Sequence, residues 1–382
     1  MEIETLMAEP KSRDKLPGVL CLNPGSSSLK WAFYCSTTQK KVLKTGTVSL
    51  ERLSKELLVI LKKYEVSLVV IRFVHGGTDF YEPVEVTSKV YGELCSIKSF
   101  APLHINTSLL CSELVTNNLK RVKQVAVFDT EIFKELPEAA QLYGLPESLR
   151  DKYGIRRFGF HGFAHAGMLE VYQELTDSAP HKEQRIVTIQ LGSGCSMAAF
   201  LNGNPVECSM GFTPNDGLLM STRSGEVDAG LVTWIQRQEG WTPDETDIYL
   251  NEKSGWAGMS GEGSDFSVIL RSQKLSSERA VRLFIHRVRK NLGSFFAVLG
   301  GLDAVLLSGG IAENATHFCH GLLCDLEHLG VKLRPAENLS KAAKLTEKIM
   351  PLSLPQSKVE VCVIQNNEFN IMLKTVDQWI NR

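Results

Sequence analysis

One pattern occurs twice in this chain and constrains its fold more than any other feature: an apolar strand, a Gly/Ser turn, and a second strand. In the first copy Gly18 to Asn23 is a short apolar run that stops at Asn23-Pro24-Gly25. Gly25-Ser26-Ser27-Ser28 turns the chain, and Leu29 to Tyr34 reads as the returning strand. In the second copy Ile186 to Leu191 leads into Gly192-Ser193-Gly194-Cys195-Ser196 and then Met197 to Leu201. That strand is closed by Asn202-Gly203, a pair that favours a tight hairpin. The repetition predicts two related domains facing each other across a cleft. It also speaks against a Walker-type phosphate loop, which runs from a strand into a helix and ends Gly-Lys-Ser/Thr. Here the turn joins two strands, and Lys30 comes after the serines.

The helices that surround such sheets are legible too. Glu51 to Tyr64 places Leu53, Leu57, Leu58 and Leu61 on one face, ahead of the apolar strand Val66 to Val74. Ser277 to Leu299 is the longest helix expected, with Val281, Phe284, Val288, Leu292, Phe295 and Leu299 at helical spacing. Ser277 is expected to cap it and Gly300-Gly301 to end it, before the strand Ala304 to Leu307. Glu368 to Arg382 is amphipathic and predicts a closing helix. The class is therefore mixed α/β. The Pro-bearing, charged stretch Leu136 to Tyr153 marks connections near a domain boundary.

A formal net charge of −1 gives no global attraction to nucleic acid or an anionic membrane, so neither partner is expected. The longest apolar runs fall short of the roughly 20 residues of a spanning helix. Met1 to Leu16 is polar and reads as an N-terminal extension, not a signal peptide. Nine cysteines without CxxC spacing fit reduced thiols and a cytoplasmic location.

Polar clusters at strand ends are where open α/β sheets place ligands. Asn23 to Ser28 and Gly192 to Ser196 each offer amides and hydroxyls to a phosphate, and Gly309 to Asn314 opens a possible helix. Arg72 sits inside the apolar strand, where a charge needs a partner. Arg223 sits in Ser221-Thr222-Arg223-Ser224-Gly225, a loop where a solvated arginine is the default. His161 and His165 have a zinc-like i, i+4 spacing, but no Glu follows His161. Asp129, ending Val125 to Phe128, suits either a Mg²⁺ site or a helix cap.

In order along the chain, these segments resemble the acetate kinases, the acetokinase family of the sugar kinase and actin superfamily. The pieces are Asn23-Pro24-Gly25-Ser26-Ser27-Ser28-Leu29-Lys30, Arg72-Phe73-Val74-His75-Gly76-Gly77, Ala101-Pro102-Leu103-His104, Phe128-Asp129-Thr130 and Gly159-Phe160-His161-Gly162. They continue with Ser209 to Pro214, Thr222 to Gly225, Lys253-Ser254-Gly255, Gly309 to Asn314 and Asn367-Glu368. The resemblance implies two actin-like (ribonuclease H-like) domains with an interdomain active-site cleft. The boundaries expected are 17–135, closed by helix 369–382, and 136–368. The implied activity is reversible transfer of the ATP γ-phosphoryl group to acetate, giving acetyl phosphate and ADP, by a homodimer that uses Mg²⁺ or Mn²⁺.

Residue roles follow from the same resemblance. Asn23 and Glu368 would hold the metal, with Asp129 the acidic residue near it. Arg72 and Arg223 would bind the carboxylate and stabilise the transition state, aided by His161, with His104 lining the site. Val74, Leu103, Phe160 and Pro214 would hold the acetate methyl. Lys30, Gln190, Leu191, Gly192, Ser193, Gly194, Asp265, Phe266, Ser267, Gly310, Ile311, Ala312, Glu313 and Asn314 would hold the nucleotide. Some positions depart from the family pattern. Gln190-Leu191-Gly192-Ser193-Gly194 stands for His-Leu-Gly-Asn-Gly, and Ser267 for an arginine after Asp265-Phe266. Ile105 replaces Asn, Glu131-Ile132-Phe133 replaces Ala-Phe-His, and Phe369 stands where a second Glu is common. Two other readings are a kinase for propionate or butyrate, and a catalytically weak ATP-binding sensor.

Overall fold

A computed structural model describes residues 17–25, 28–176, 183–338 and 348–382. Ser26, Ser27, the extension 1–16 and the Leu103 side chain lie outside the described residues. The chain divides into two units: one reaches Phe128 and takes in Phe369–Arg382, and the other is Asp129–Glu368.

In the first unit, among the described residues, six strands form one sheet: β1 (Gly18–Pro24), β2 (Ser28–Tyr34), β3 (Val42–Ser49), β4 (Val66–Phe73), β5 (Val84–Glu85) and β6 (Lys123–Phe128). Their order is β3-β2-β1-β4-β6-β5. β1 pairs antiparallel with β2, setting Asn23 opposite Lys30, and parallel with β4 on its other side. With neighbours on both edges, all seven β1 residues are buried, which is why this run is apolar without alternation. Helix α1 (Leu53–Lys63) buries Leu53, Leu57, Ile60 and Leu61, and α2 (Pro102–Asn118) packs against β4.

The second unit repeats this path. Its sheet contains β7 (Arg185–Leu191), β8 (Cys195–Leu201), β9 (Asn204–Cys208), β10 (Ala304–Ser308), β11 (Ile349–Pro351) and β12 (Glu360–Ile364), in the order β11-β12-β10-β7-β8-β9. Again an antiparallel meander comes first, and two parallel strands then extend from its opening strand. Asn202 and Gly203 have φ of 53° and 82°, the left-handed pair that a two-residue hairpin needs. The two-copy pattern in the sequence is thus matched by two copies of one topology.

The helices of the second unit include α3 (Gly162–Thr176), α4 (Ala229–Glu239), α5 (Pro243–Glu252), α6 (Gly255–Ser260), α7 (Phe266–Arg271), α8 (Leu275–Leu299) and α9 (Gly310–Asn314). α8 buries Ala280, Phe284, Val288, Leu292, Phe295 and Leu299, and ends at left-handed Gly300. Its start corrects the sequence expectation: Lys274 occupies the cap position, and Ser277 lies in the first turn with its hydroxyl on the Glu262 carboxylate. That side-chain partner, invisible from local sequence, takes the hydroxyl away from the helix end. The last helix, α10 (Glu368–Ile380), buries Ile371, Met372, Leu373 and Val376. Within the first unit, Thr37 Oγ1 donates to Asp377 (2.9 Å) and Tyr34 Oη to Asn370 (3.5 Å).

Candidate active site

In the first unit Arg72, Asn23, Val74 and His104 are all buried. Arg72 is on β4, beside β1, and its Nη1 donates to Asn23 Oδ1 at 2.7 Å and to the Pro24 carbonyl at 3.5 Å. The partner expected for a buried arginine is here a neutral amide oxygen at the end of the adjacent strand. Ser108, on α2, donates to the Arg72 carbonyl at 2.8 Å and fixes the strand end from the helix side. Lys30, opposite Asn23 in the hairpin, is exposed.

The second unit gathers the remaining charged residues by an unusual backbone. His161 has φ 58°, a left-handed conformation that costs a non-glycine residue energy and is typical of functional sites. It is held there because the Gly162 amide donates to the Asp129 carbonyl (3.1 Å), so close that a Cβ on Gly162 would lie 2.1 Å from that oxygen. Asp129 itself is fully buried. The His161 ring is oriented by Ser196 on β8, whose Oγ lies 2.8 Å from Nδ1. Ser196 Oγ is also 2.8 Å from Nε2 of His165, and His165 Nδ1 is 2.6 Å from Thr188 Oγ1. His165 thus has both ring nitrogens committed to hydroxyls, leaving no lone pair for zinc.

Arg223 overturns the expectation of a solvated loop residue. It is 6% exposed, and its Nη1 donates to the Pro214 carbonyl at 2.7 Å. Its loop is strapped on two sides: Ser221 N–H donates to the Ser193 carbonyl, while the Met220 and Ser221 carbonyls accept from the first turn of α6. The result is a convergence on Gly194. A Cβ there would meet Arg223 Nη2 at 2.8 Å and His161 Nε2 at 3.0 Å. Glycine keeps that space open, with two nitrogen-bearing side chains turned toward it. Phe160 and Pro214, from the two segments that carry these side chains, are buried.

Beside this convergence, Gly192, Ser193, Asp265, Phe266, Ser267, Gly310, Ile311 and Asn314 line one cavity of about 360 Å³. Asp265 caps α7 by accepting from Ser267 N–H (2.8 Å), and these hydrogen bonds hold its carboxyl below the usual carboxylate range. Gly309 has φ 95°, and a Cβ there would lie 2.5 Å from the Leu191 carbonyl, so only glycine lets β10 exit next to β7. At these two strand ends Gln190 Oε1 and Ser308 Oγ are buried without a partner among the described residues. The lining mixes glycine backbone, hydroxyls and apolar surface, a combination that suits a small polar ligand. Ala312 and Glu313 belong to α9 but not to the cavity wall; Glu313 accepts from Gly309 N–H at 3.2 Å. Glu368, at the start of α10, is half-buried. Asn23, Asp129 and Glu368 offer oxygen ligands, the donor type that Mg²⁺ takes.

Residues 47–374 match the model of the acetokinase family. The chain belongs to the acetokinase family. It is 40% identical over 312 residues to the acetate kinase of Dictyoglomus turgidum, covering 80% of this chain and 74% of that one. The crystal structure of Porphyromonas gingivalis acetate kinase superimposes with TM-score 0.80 and 29% identity, over 96% of this chain and 100% of that chain. A propionate kinase from Francisella tularensis superimposes with TM-score 0.82 and 26% identity, over 94% and 99%. The two-sheet architecture is therefore the two-domain, actin-like fold of acetokinases.

Several residues of this acetokinase site escaped sequence reasoning. Trp256, Ser264, Leu270 and Ala315 also line the cavity; Trp256 is buried, with Nε1 donating to the Ser264 carbonyl at 3.0 Å. Lys253-Ser254-Gly255, which directly precedes it, was the available signal. Arg271, one turn beyond Ser267, brings Nε to the Ser267 carbonyl (2.9 Å) and Nη2 to its hydroxyl (3.0 Å). A guanidinium thus lies against Ser267, supplied from a residue that no local motif marks.

Proposed function

We propose that this chain is an acetate kinase, transferring the γ-phosphoryl group of ATP to acetate. The observation that best supports the reading, beside membership of the family, is the meeting of Arg223 and His161 over Gly194. A carboxylic acid has a pKa of about 4, so at neutral pH the nucleophile is already an anion and needs no strong base. The barrier lies in bringing that anion to a polyphosphate. Donors and positive charge around the transferring group are the main requirement.

In this reading Arg72 receives the acetate carboxylate, His104 lines the site, and Val74, Leu103, Phe160 and Pro214 enclose the methyl group. A carboxylate oxygen forms a bond to the γ-phosphorus while the bond to the β–γ bridging oxygen breaks and ADP departs. Arg223 and His161 donate to the equatorial oxygens as charge spreads over them. Lys30 and the loops Gln190 to Gly194, Asp265 to Ser267 and Gly310 to Asn314 hold the nucleotide, with Trp256 walling the cavity. Asn23 and Glu368 would hold Mg²⁺, with Asp129 near it, and the ion would supply positive charge against the phosphate oxygens.

The reading extends to a cytoplasmic homodimer. None of the nine cysteines forms a disulfide, and among the described residues no helix is long and apolar enough to cross a membrane. Helix α4 buries no residue, and with α5 it exposes Leu231, Trp234, Ile248 and Tyr249, a face suited to a second copy.

The test is acyl phosphate formation from acetate, ATP and Mg²⁺, trapped as the hydroxamate, in wild type and Arg223→Ala. Turnover that falls by about 10²- to 10³-fold in the variant is expected. Absence of product with acetate, propionate and butyrate alike, despite ATP binding, would sink the kinase reading. The similarity to a propionate kinase gives the second reading its support, and faster turnover of propionate than acetate would establish it. Each added methylene shifts binding by only about 1–3 kcal/mol, so the ratio of rates decides.

A further inference from the structure

The stretch Leu136 to Tyr153, which the sequence marks only as surface connections, supplies a side chain to the loop that carries Pro214. Tyr143 Oη accepts from the Phe212 N–H at 2.7 Å. The Arg157 guanidinium lies over the Tyr143 ring, 5.5 Å from its centroid, and Nη1 stands 3.3 Å from Asp216 Oδ2. Backbone contacts run alongside: Arg157 N–H donates to the Gln141 carbonyl (2.8 Å) and Phe158 N–H to the Gly211 carbonyl (3.0 Å). These contacts close around Gly211. A Cβ there would lie 2.2 Å from Tyr143 Oη and 2.4 Å from Asp216 Oδ2, so any side chain at 211 would push the phenol and the carboxylate off the loop. A half-buried ion pair of this kind adds little stability by itself; what it fixes is position.

Pro214 lies between the two anchored points, Phe212 and Asp216, and its carbonyl accepts from Arg223 Nη1 at 2.7 Å. Asp216 also closes the turn from within, its Oδ1 accepting from Gly217 N–H at 2.8 Å. On the other side, Arg157 and Phe158 lead directly into Gly159-Phe160-His161. Phe160 and Pro214 are buried, yet neither sits on a helix or a strand that would hold it. We infer that Tyr143, Arg157 and Asp216 are positioning residues that set the gap between Phe160 and Pro214, and with it the chain length of the acid accepted. This rests on the proposed kinase reading. One methylene is worth only about 1–3 kcal/mol in an apolar pocket, and a wall that yields loses even that discrimination. The clamp keeps the Pro214 wall from yielding, and through the Pro214 carbonyl it also steadies Arg223. None of the three side chains meets the substrate in this role.

The experiment compares wild type, Tyr143→Phe, Asp216→Asn and Gly211→Ala as full chains. For each, kcat and KM are measured with acetate, propionate and butyrate and with ATP, beside thermal unfolding and amide hydrogen exchange of the peptide spanning 209–217. Tyr143→Phe keeps the ring under Arg157 and removes only the hydroxyl. The expected result is a fall of about 10-fold in kcat/KM for the preferred acid, with its advantage over the next acid narrowed by about threefold or more. KM for ATP stays within about twofold, and exchange quickens within 209–217 but not elsewhere. Asp216→Asn shifts in the same direction, and Gly211→Ala does so with all three clamp side chains in place. Unchanged acid preference, or unchanged exchange, in Tyr143→Phe would overturn the clamp. An equal loss for every acid, with a raised KM for ATP and a lowered unfolding midpoint, would also overturn it, since that is the signature of a contact that serves the fold alone. A wild type that turns over no acid fails the kinase reading instead, and the role in acid choice with it; the exchange measurement, read without turnover, then decides whether the clamp holds the Pro214 turn.

Discussion

At the scale of single residues, glycine at 194 does more than turn a hairpin. The atom it lacks would occupy the space over which Arg223 Nη2 and His161 Nε2 meet, 2.8 and 3.0 Å away. Gly194→Ala is therefore expected to lower kcat by about 10-fold or more while leaving the fold intact, since misplacing catalytic donors by a fraction of an ångström is costly. Circular dichroism and thermal unfolding alongside the hydroxamate assay check this; unchanged turnover would show that the space is not used. The residue types of this cluster were legible in sequence, as were the segments they sit in. Their burial was not. Arg223 reads as a loop arginine because solvation is decided by what packs over a loop, and here Pro214 closes over it from nine residues back, with Ser193 and α6 coming from more distant segments.

At the scale of elements, periodicity decides faces and neighbours decide ends. α8 buries the stripe that its spacing predicts, with Ala280 taking the buried place and Val281 half-buried. Its first turn, by contrast, is set by Glu262 holding Ser277. α4 makes the complementary point. It has a well-formed cap, with Asp228 accepting from Leu231 N–H, and a left-handed Gly240 at its end, yet it buries nothing in its own chain. Trp234 is 56% exposed. If this face seats a second copy, Trp234→Glu will convert a dimer into monomers in sedimentation or light scattering, because an unpaired charge in an apolar contact is strongly unfavourable. A wild-type monomer, or a dimer indifferent to this change, would reject the face as the interface.

For the molecule as a whole, the buried His165 links fold stability to pH. Its ring titrates at 6.5 when unhindered and at about 3 in the folded chain, because burial disfavours the charged form. Between those values the unfolded chain takes up a proton that the native chain does not. Stability is thus fully present above about pH 6.5 and is lost as pH falls toward 3, by up to about 1.4 kcal/mol per pH unit from this group. Chemical denaturation of wild type and His165→Gln across this range checks it: the slope should flatten in the variant, and equal slopes would remove His165 as the source. Across the chain, the sequence by itself determined the two strand–turn–strand repeats, the α/β class, the long helix and the residue types of the site. Those properties follow from local periodicity, turn chemistry and the chain's own motifs. Only the tertiary structure decided that Arg72 pairs with Asn23, that Arg223 is buried, that Trp256 lines the same cavity as Gly192 and Gly310, and that His161 and His165 share Ser196. Each depends on contacts between segments far apart in sequence, where packing and the accounting of buried hydrogen bonds outweigh local preference.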